Sequence, residues 1–269
     1  MTHDSAGYPK SYAEFVEVTH PVDIMGRVNA EHWTGRLYLR HISPFLSMPL
    51  LRTSVTPNQV TGAFIFIGLL IGPCYLIPGI AGPIAAALVS QFHGLVDCVD
   101  GEIARWKRQF SPAGNLLDSL GHFSAEALIP LFIGLRASDL FGSQPDLLWG
   151  LLGAITGMLV LYRKSVNQIV QVSLAKAGLP LMRDSSEMRD TSASLLRRLR
   201  QIVRHLPIQR ISHSVESTLV ALAAGIVGLF VGDVLAFRWL VAILAPLTLL
   251  ITTLFTIQAA LSKRLRPAS

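Results

Sequence analysis

Charged residues are scarce in this sequence, at 15% of 269 residues against about a quarter in ordinary soluble domains. With 51% hydrophobic residues and a mean hydropathy of +0.48, this scarcity excludes a soluble globular protein and predicts a membrane protein. Only two cysteines are present, both within apolar segments, which argues against a disulfide framework or a zinc site. The polar residues 1–15 lack the apolar core of a secretory signal, so we expect no cleaved segment.

Long apolar runs dominate the rest of the chain. Six segments are each near the roughly 20 residues needed to cross a hydrocarbon core, and the short connections between most of them favour antiparallel neighbours. Their predicted bounds are about 60–77, 80–101, 115–136, 146–173, 213–233 and 238–262. The predicted fold class is therefore an all-α integral membrane protein with six transmembrane helices.

The sequence divides near residue 56 into a cytosolic or interfacial N-terminal segment (1–55) and a membrane domain (56–269). The residues before Val22 are predicted to be a weakly ordered lead. From there to about Leu51, aromatic and aliphatic side chains mixed with arginines predict an amphipathic helix at the membrane interface, broken by two prolines, Pro44 and Pro49. A small cytosolic helical cap is the alternative interpretation.

Basic residues are distributed unevenly around the six segments. Of the 23 lysines and arginines, 21 fall on the side that carries both termini, and only Arg136 and Arg238 fall on the other. Because basic loops stay in the cytosol, both termini and the loop 174–212 are predicted to be cytosolic in a cell-membrane protein. A basic helix at about 192–206 is expected to lie on anionic lipid, or else to form a subunit contact. Basic side chains that flank apolar runs favour lipid headgroups over nucleic acid as partners.

An acidic motif spans the second and third apolar segments. It reads D-x-x-D-G-x-x-A-R, eight residues, then G-x-x-x-D, and its letters are Asp97, Asp100, Gly101, Ala104, Arg105, Gly114 and Asp118. Residues three or four apart share one helix face, so the second part continues as a stripe through His122 and Glu126. Carboxylates from neighbouring helices can converge on a hard divalent cation such as Mg²⁺ or Mn²⁺. Charges at water-facing helix ends would account for one or two of these residues but not for the set.

This spacing resembles the signature of the CDP-alcohol phosphotransferase family, in which a fourth aspartate stands where this chain has His122. The resemblance implies an enzyme of phospholipid biosynthesis that displaces CMP from a CDP-linked donor with an alcohol, at the cytosolic face. It also implies that Asp97, Asp100 and Asp118 hold Mg²⁺ or Mn²⁺, with two ions expected. The donor implied by the resemblance is either CDP-diacylglycerol or a soluble CDP-alcohol used with a lipid acceptor.

The resemblance also assigns residues to the binding of the donor. Gly101 and Ala104 would leave room for the cytidine, and Arg105 would pair with a phosphate oxygen. Gly114 belongs to the same site, as does Asn58, which lies in a Pro-Asn-x-x-Thr segment of the kind that commonly precedes the first membrane helix in the family.

His122 is the position at which the chain departs from the family pattern, where the aspartate helps to hold the metals and is the proposed base. A neutral imidazole is a workable base near pH 7, since its reference pKa is about 6.5, but it is a poor Mg²⁺ ligand. We therefore expect His122 to accept the proton of the alcohol, with Glu126 orienting its ring or supplying the missing negative charge. A purely structural pairing of the two side chains is the alternative.

Arg163 and Lys164 are unusual inside the fourth apolar segment because charges are costly in lipid. They are predicted to bind the phosphate of the acceptor or of a lipid, or else to snorkel to the surface. Two competing functions remain: a non-catalytic family member that binds nucleotide or lipid, motivated by His122, and a small transporter, motivated only by the intramembrane charges. The expected partners are the CDP-linked donor, the alcohol acceptor, membrane lipids and a second copy of the chain.

Overall fold

The computed structural model describes residues 7–21, 33–182, 213–262 and 265, and most of these are helical. In chain order the helices are α1 (Tyr12–Thr19), α2 (Arg40–Leu50), α3 (Pro57–Ile71), α4 (Ala81–Lys107), α5 (Pro112–Ala137), α6 (Leu147–Lys176), α7 (Ser214–Val231) and α8 (Asp233–Ala260). The part of the chain so described contains no strand, and it holds six segments that are long and apolar enough to cross a membrane. The first is Pro57–Leu76, in which a 3-10 turn over Pro73–Leu76 extends α3, and the other five are α4 to α8. The predicted fold class is confirmed, and the chain is an integral multi-pass membrane protein. The basic helix predicted near residues 192–206 lies outside the described residues.

The connection between the second and third spans lies at different residues from those predicted. α4 was expected to end at Gly101 but continues to Lys107, where Arg108 adopts a left-handed backbone with φ 52°. The amide of Gln109 then donates to the carbonyl of Ala104 at 3.0 Å, as in other helix C-termini closed by a left-handed residue. α5 begins at Pro112, because the fixed φ of proline suits the first helical position. The whole first part of the motif is therefore helical.

Two predictions for the N-terminal segment were wrong. The supposed lead contains α1, in which Phe15 and Thr19 are buried, so tertiary packing orders a stretch that was expected to be weakly ordered. Pro44 and Pro49 both lie within α2 instead of breaking it. Each proline removes only one backbone hydrogen bond, and the buried ring of Pro44 contributes to the packing. A π-helical turn over Gly35–Leu39 directly precedes this helix.

The two sides of α2 have the opposite polarity from those of a helix in a soluble protein. Ser43 and Ser47 face inward and are completely buried, whereas Phe45 is 67% exposed and Ile42 is 45% exposed. An apolar outer face is what a helix at the membrane interface needs, and the interfacial position of α2 stays a prediction. The polar inner face requires partners within the protein.

The chain divides into two compact units. The first consists of residues 1–71 and 85–125, and the second of residues 72–84 and 126–269. The first unit contains the acidic motif together with a hydrophobic core formed by Val60, Phe64, Val96, Val99 and Ile103. In the second unit α8 packs along α6 and α7.

Candidate active site

The motif residues lie on α4 and α5, which the short connection 108–111 joins within the first unit. Ser111 caps the start of α5, because its Oγ accepts a hydrogen bond from the amide of Gly114 at 2.9 Å. The tight connection sets the last turns of α4 beside the first turns of α5. The two acidic faces predicted from the spacing therefore meet.

Asp97, Asp118 and His122 form a cluster in which one ligand atom from each lies within 4.8 Å of the other two. The Nε2 atom of His122 is 3.3 Å from Oδ1 of Asp97 and 3.6 Å from Oδ1 of Asp118. All three side chains are partly open to solvent, with exposed fractions of 28% for the imidazole and 34% and 46% for the carboxylates. Carboxylates gathered so closely repel each other, and a divalent cation would relieve that repulsion.

Asp100 occupies a different setting from the other two aspartates of the motif. One of its oxygens accepts a hydrogen bond from Oγ1 of Thr61 at 2.9 Å, and the cluster of Asp97, Asp118 and His122 does not include it. The same hydroxyl oxygen lies 3.1 Å from the carbonyl oxygen of Pro57. Sequence reasoning recognised the Pro-Asn-x-x-Thr segment but gave Thr61 no role, although its spacing from Asn58 was a usable signal.

Asn58 and Gly114, which were both predicted to belong to the donor site, approach each other closely in the structure. A Cβ atom on Gly114 would lie 3.1 Å from Oδ1 of Asn58 and 3.2 Å from Oγ of Ser111. Such contacts are tighter than an added side chain normally allows, so glycine at this position permits the start of α3 to approach the start of α5.

Gly101 and Arg105 are in contact along the same face of α4. A Cβ atom on Gly101 would lie 2.9 Å from Nη1 of Arg105, so the missing side chain makes room for the guanidinium. The Nε of Arg105 donates to the carbonyl of Thr19 at 2.5 Å. Ala104, on the turn between them, is partly buried and adds no bulk. Arg105 is thus anchored to α1, which sequence reasoning did not anticipate.

The ring of His122 packs on a pair of buried aromatic rings. The centroid of Phe64 lies 4.9 Å from that of His122 in an edge-on arrangement, and Phe64 stacks on His93 at 4.0 Å. A side chain on Gly121 would clash with the Phe64 ring. Sequence reasoning missed Phe64 and His93, because one aromatic residue in an apolar run carries no local sign of a partner on another helix.

Glu126 lies in the second unit, although it follows His122 by one turn of α5. It is buried, accepts a hydrogen bond from Nζ of Lys164 at 3.0 Å, and lies 3.1 Å from Nδ1 of His213. Arg163 is also buried, on the same helix as Lys164. The structure therefore brings Glu126 together with Lys164, and adds His213, which sequence reasoning missed. An apolar cavity beside Glu126 is lined by side chains of α5, α6, α7 and α8.

Comparison with known proteins identifies one family. A family model described as CDP-alcohol phosphatidyltransferase matches residues 54–197, which is more than half of the chain and includes the whole acidic motif. No curated protein matches the sequence.

Proposed function

The chain belongs to the CDP-alcohol phosphatidyltransferase family, and from this premise we propose that it transfers a phosphatidyl or phospho-alcohol group from a CDP-linked donor to an alcohol in phospholipid biosynthesis. CMP is the second product. The observation that carries the proposal is the cluster of Asp97, Asp118 and His122. Its two aspartates belong to the motif, His122 stands at the position of the family's fourth aspartate, and the three lie close enough to share one ion.

The family uses divalent metals, and the donor set of this cluster fits such an ion. Carboxylate oxygens are the ligands that Mg²⁺ and Mn²⁺ prefer, whereas imidazole contributes less to a hard cation. We assign Asp97, Asp100 and Asp118 as the residues that hold one or two such ions. When bound, the metal neutralises charge on the diphosphate and stabilises the departing CMP.

His122 is proposed to act as the general base. The reaction breaks the bond between the second phosphorus of the donor and the bridging oxygen that leaves with CMP, and forms a bond from that phosphorus to the acceptor oxygen. The proton of the alcohol passes to Nε2 of His122, whose ring is held by packing on Phe64. The same nitrogen lies 3.3 Å from Asp97 and 3.6 Å from Asp118, so a base at this position would stand beside an ion held by the two carboxylates.

The donor is proposed to bind along the face of α4 that carries Gly101, Ala104 and Arg105. The guanidinium of Arg105 lies over Gly101, and a planar fork of N–H donors is well suited to a phosphate. Asn58 and Gly114, which approach each other closely, complete the group of residues assigned to the donor.

Arg163 and Lys164 are proposed to bind the phosphate of the acceptor or of a lipid. Both are largely withdrawn from solvent, and a buried cation is retained where it has an anionic partner. Glu126 holds the ammonium of Lys164 at 3.0 Å and so fixes its position. The negative charge that Glu126 supplies is thereby balanced within the second unit.

The alternative is a family member that binds the CDP-linked molecule without turnover, and the replacement of the fourth aspartate by His122 favours it. Both functions are tested by incubating the purified protein with Mg²⁺ or Mn²⁺ and a panel of labelled CDP-donors and alcohols, and then measuring CMP. We expect CMP release that EDTA abolishes and that one donor and acceptor pair supports best. Donor binding without CMP release for any pair would identify the non-catalytic alternative.

We further propose that both termini and the loop 174–212 face the cytosol, in the cell membrane, as the uneven distribution of basic residues predicts. Cysteines introduced at Ser143 and Ala177, which flank α6, should react with an impermeant reagent from opposite sides of the membrane in a cysteine-free variant. Labelling of both from one side would contradict this orientation. The expected homodimer stays a prediction, which light scattering of the detergent-purified protein would check.

A further inference from the structure

Glu102 is a completely buried carboxylate on α4 that the seven motif letters do not include. Its Oε2 accepts a hydrogen bond from Oγ of Ser47 at 2.5 Å, and its Oε1 accepts from Oγ of Ser43 and from Nε2 of His20, the latter at 2.8 Å. Burying a carboxylate is costly unless hydrogen bonds replace its water. Three donors meet that requirement here, so the Glu102 carboxylate lies in a binding pocket formed by specific side chains of the N-terminal segment.

The three donors come from two separate parts of the N-terminal segment. His20 directly follows α1, whereas Ser43 and Ser47 lie one turn apart on the inward face of α2. This explains why α2 has a polar inner face below an apolar outer one. Glu102 therefore ties both N-terminal helices to the helix that carries the acidic motif.

Arg105, one turn further along α4, is held by Thr19 at the end of α1, next to His20. Its Nε donates to the carbonyl of Thr19, the residue next to His20. Thr19 is itself completely buried, and its hydroxyl donates to the carbonyl of Phe15 at 2.7 Å. The ring of Phe15 in turn packs on Trp106, with centroids 5.5 Å apart. Any movement of His20 and the end of α1 would therefore move the Thr19 carbonyl, which anchors Arg105.

We propose that Glu102 is a positioning residue for donor binding: it docks the N-terminal helices on α4, and the docked Thr19 carbonyl fixes Arg105 with its terminal nitrogens over Gly101. This inference rests on the proposed function, in which Arg105 binds a phosphate of the CDP-linked donor. If the Arg105 side chain is mobile, donor binding must immobilise it, and the lost conformational entropy weakens binding. An arginine that is already held in place does not incur this cost. Loss of the docking should therefore weaken donor binding about tenfold and change kcat much less.

The test uses the full chain in lipid nanodiscs and two independent ways of removing the docking. Glu102→Gln keeps the shape and removes the charge, whereas the paired change Ser43→Ala with Ser47→Ala keeps the carboxylate and removes two of its donors. Glu17→Gln is the matched control, because Glu17 is an exposed carboxylate on α1. The measurements are KM for the CDP-donor, kcat, affinity for CMP by calorimetry, and tryptic cleavage within the first 52 residues.

Both docking variants are expected to raise KM and the dissociation constant of CMP about tenfold, to leave kcat within about twofold, and to speed cleavage of the N-terminal segment. The control should match the wild type in all four measurements. A double-mutant cycle with Arg105→Lys separates positioning from general destabilisation. If Glu102 acts through Arg105, the Glu102→Gln change should weaken CMP binding much less in the Arg105→Lys background.

The possible failures are distinguishable. If the wild type neither binds CMP nor releases it, the proposed function fails and this inference fails with it. If the wild type turns over normally and both docking variants keep its donor affinity, the inference is wrong and the proposed function stands. Loss of affinity by the same factor in the presence and absence of Arg105→Lys would also overturn the inference, because it would reveal only a structural role.

Discussion

Two acidic settings on α4 lie close together in sequence but differ in what surrounds the carboxylate. Glu102 is fully buried and receives hydrogen bonds from His20, Ser43 and Ser47. Asp97 is 34% exposed and faces His122, with the carboxylate of Asp118 beside it. In the first setting hydrogen-bond donors of the chain stabilise one carboxylate, whereas the second brings two carboxylates together at the edge of solvent. The second arrangement is the one that a cation from outside the chain would stabilise.

The comparison predicts that the two settings respond to substitution in opposite ways. Removing Glu102 should damage folding, because its donors are left buried without their acceptor. Removing Asp97 or Asp118 should damage catalysis while folding is kept, because their mutual repulsion disappears with the charge.

The largest expected effect concerns the aspartates of the motif. We predict that Asp97→Asn, Asp100→Asn and Asp118→Asn each reduce CMP release by more than about 10³-fold, because a site built from few oxygen ligands cannot hold its ion with one carboxylate missing. The melting temperature of each variant should remain within a few degrees of the wild type. Nearly full turnover in any variant, with the metal requirement kept, would remove that residue from the assignment.

His122→Ala should reduce turnover by about 10²–10³-fold, since a positioned base contributes on that scale, while affinity for the CDP-donor is largely kept. In the wild type the rate should fall when the medium is acidified, because only the neutral imidazole can accept the proton. Stopped assays over a pH series, together with calorimetry for donor binding, would measure both. A wild-type rate in the alanine variant would eliminate His122 as the base, and loss of donor binding would indicate a metal-holding role.

Glu102→Ala tests the buried setting directly. We expect it to lower the free energy of unfolding by about 3 kcal/mol, since two buried hydroxyls and the partly buried His20 ring lose their acceptor and a cavity opens. Thermal unfolding in nanodiscs would measure this, with Glu17→Ala as the exposed control. A stability equal to that of the wild type would mean that water replaces the carboxylate, and that Glu102 does not hold the N-terminal helices.

Arg136 extends the comparison to a buried cation in the second unit. Its guanidinium donates to the carbonyls of Tyr75, Ile77 and Gly79 and to the carboxylate of Asp233, all within 2.8 Å. Arg136→Lys should cost about 2 kcal/mol of stability, because one ammonium group cannot donate to all four acceptors, which lie on two separate segments of the chain. Arg238→Lys, at a partly exposed arginine, is the control and should cost less than about 0.5 kcal/mol. Equal melting temperatures for the two variants would contradict this view of Arg136.

The parts of the fold that depend on local sequence were predictable. The six apolar runs identified the six spans, and the spacing of Asp97, Asp118 and His122 placed them on faces that do meet. Helix ends were less predictable. Glycine often ends a helix, but Gly101 lies inside α4, where its missing side chain makes room for the guanidinium of Arg105. Proline was overweighted at Pro44, where packing keeps the helix intact.

Long-range partners were beyond the reach of sequence reasoning. His20 and Glu102 are 82 residues apart, and neither has a neighbour whose spacing points to the other. The contact of Arg105 with the Thr19 carbonyl could not be predicted either, because every residue type has a backbone carbonyl and the sequence does not show which one accepts. The docking of the N-terminal segment on α4 could therefore be found only in the structure.

Metal binding to the purified chain tests the central claim most directly, because it requires neither the donor nor the acceptor to be known. Mn²⁺ would be titrated into the wild type, Asp118→Asn and Glu102→Gln, with free Mn²⁺ followed by its electron paramagnetic resonance signal. The account predicts saturable binding in the wild type, at least about tenfold weaker binding in Asp118→Asn, and wild-type affinity in Glu102→Gln. Equal binding in the wild type and Asp118→Asn would contradict it.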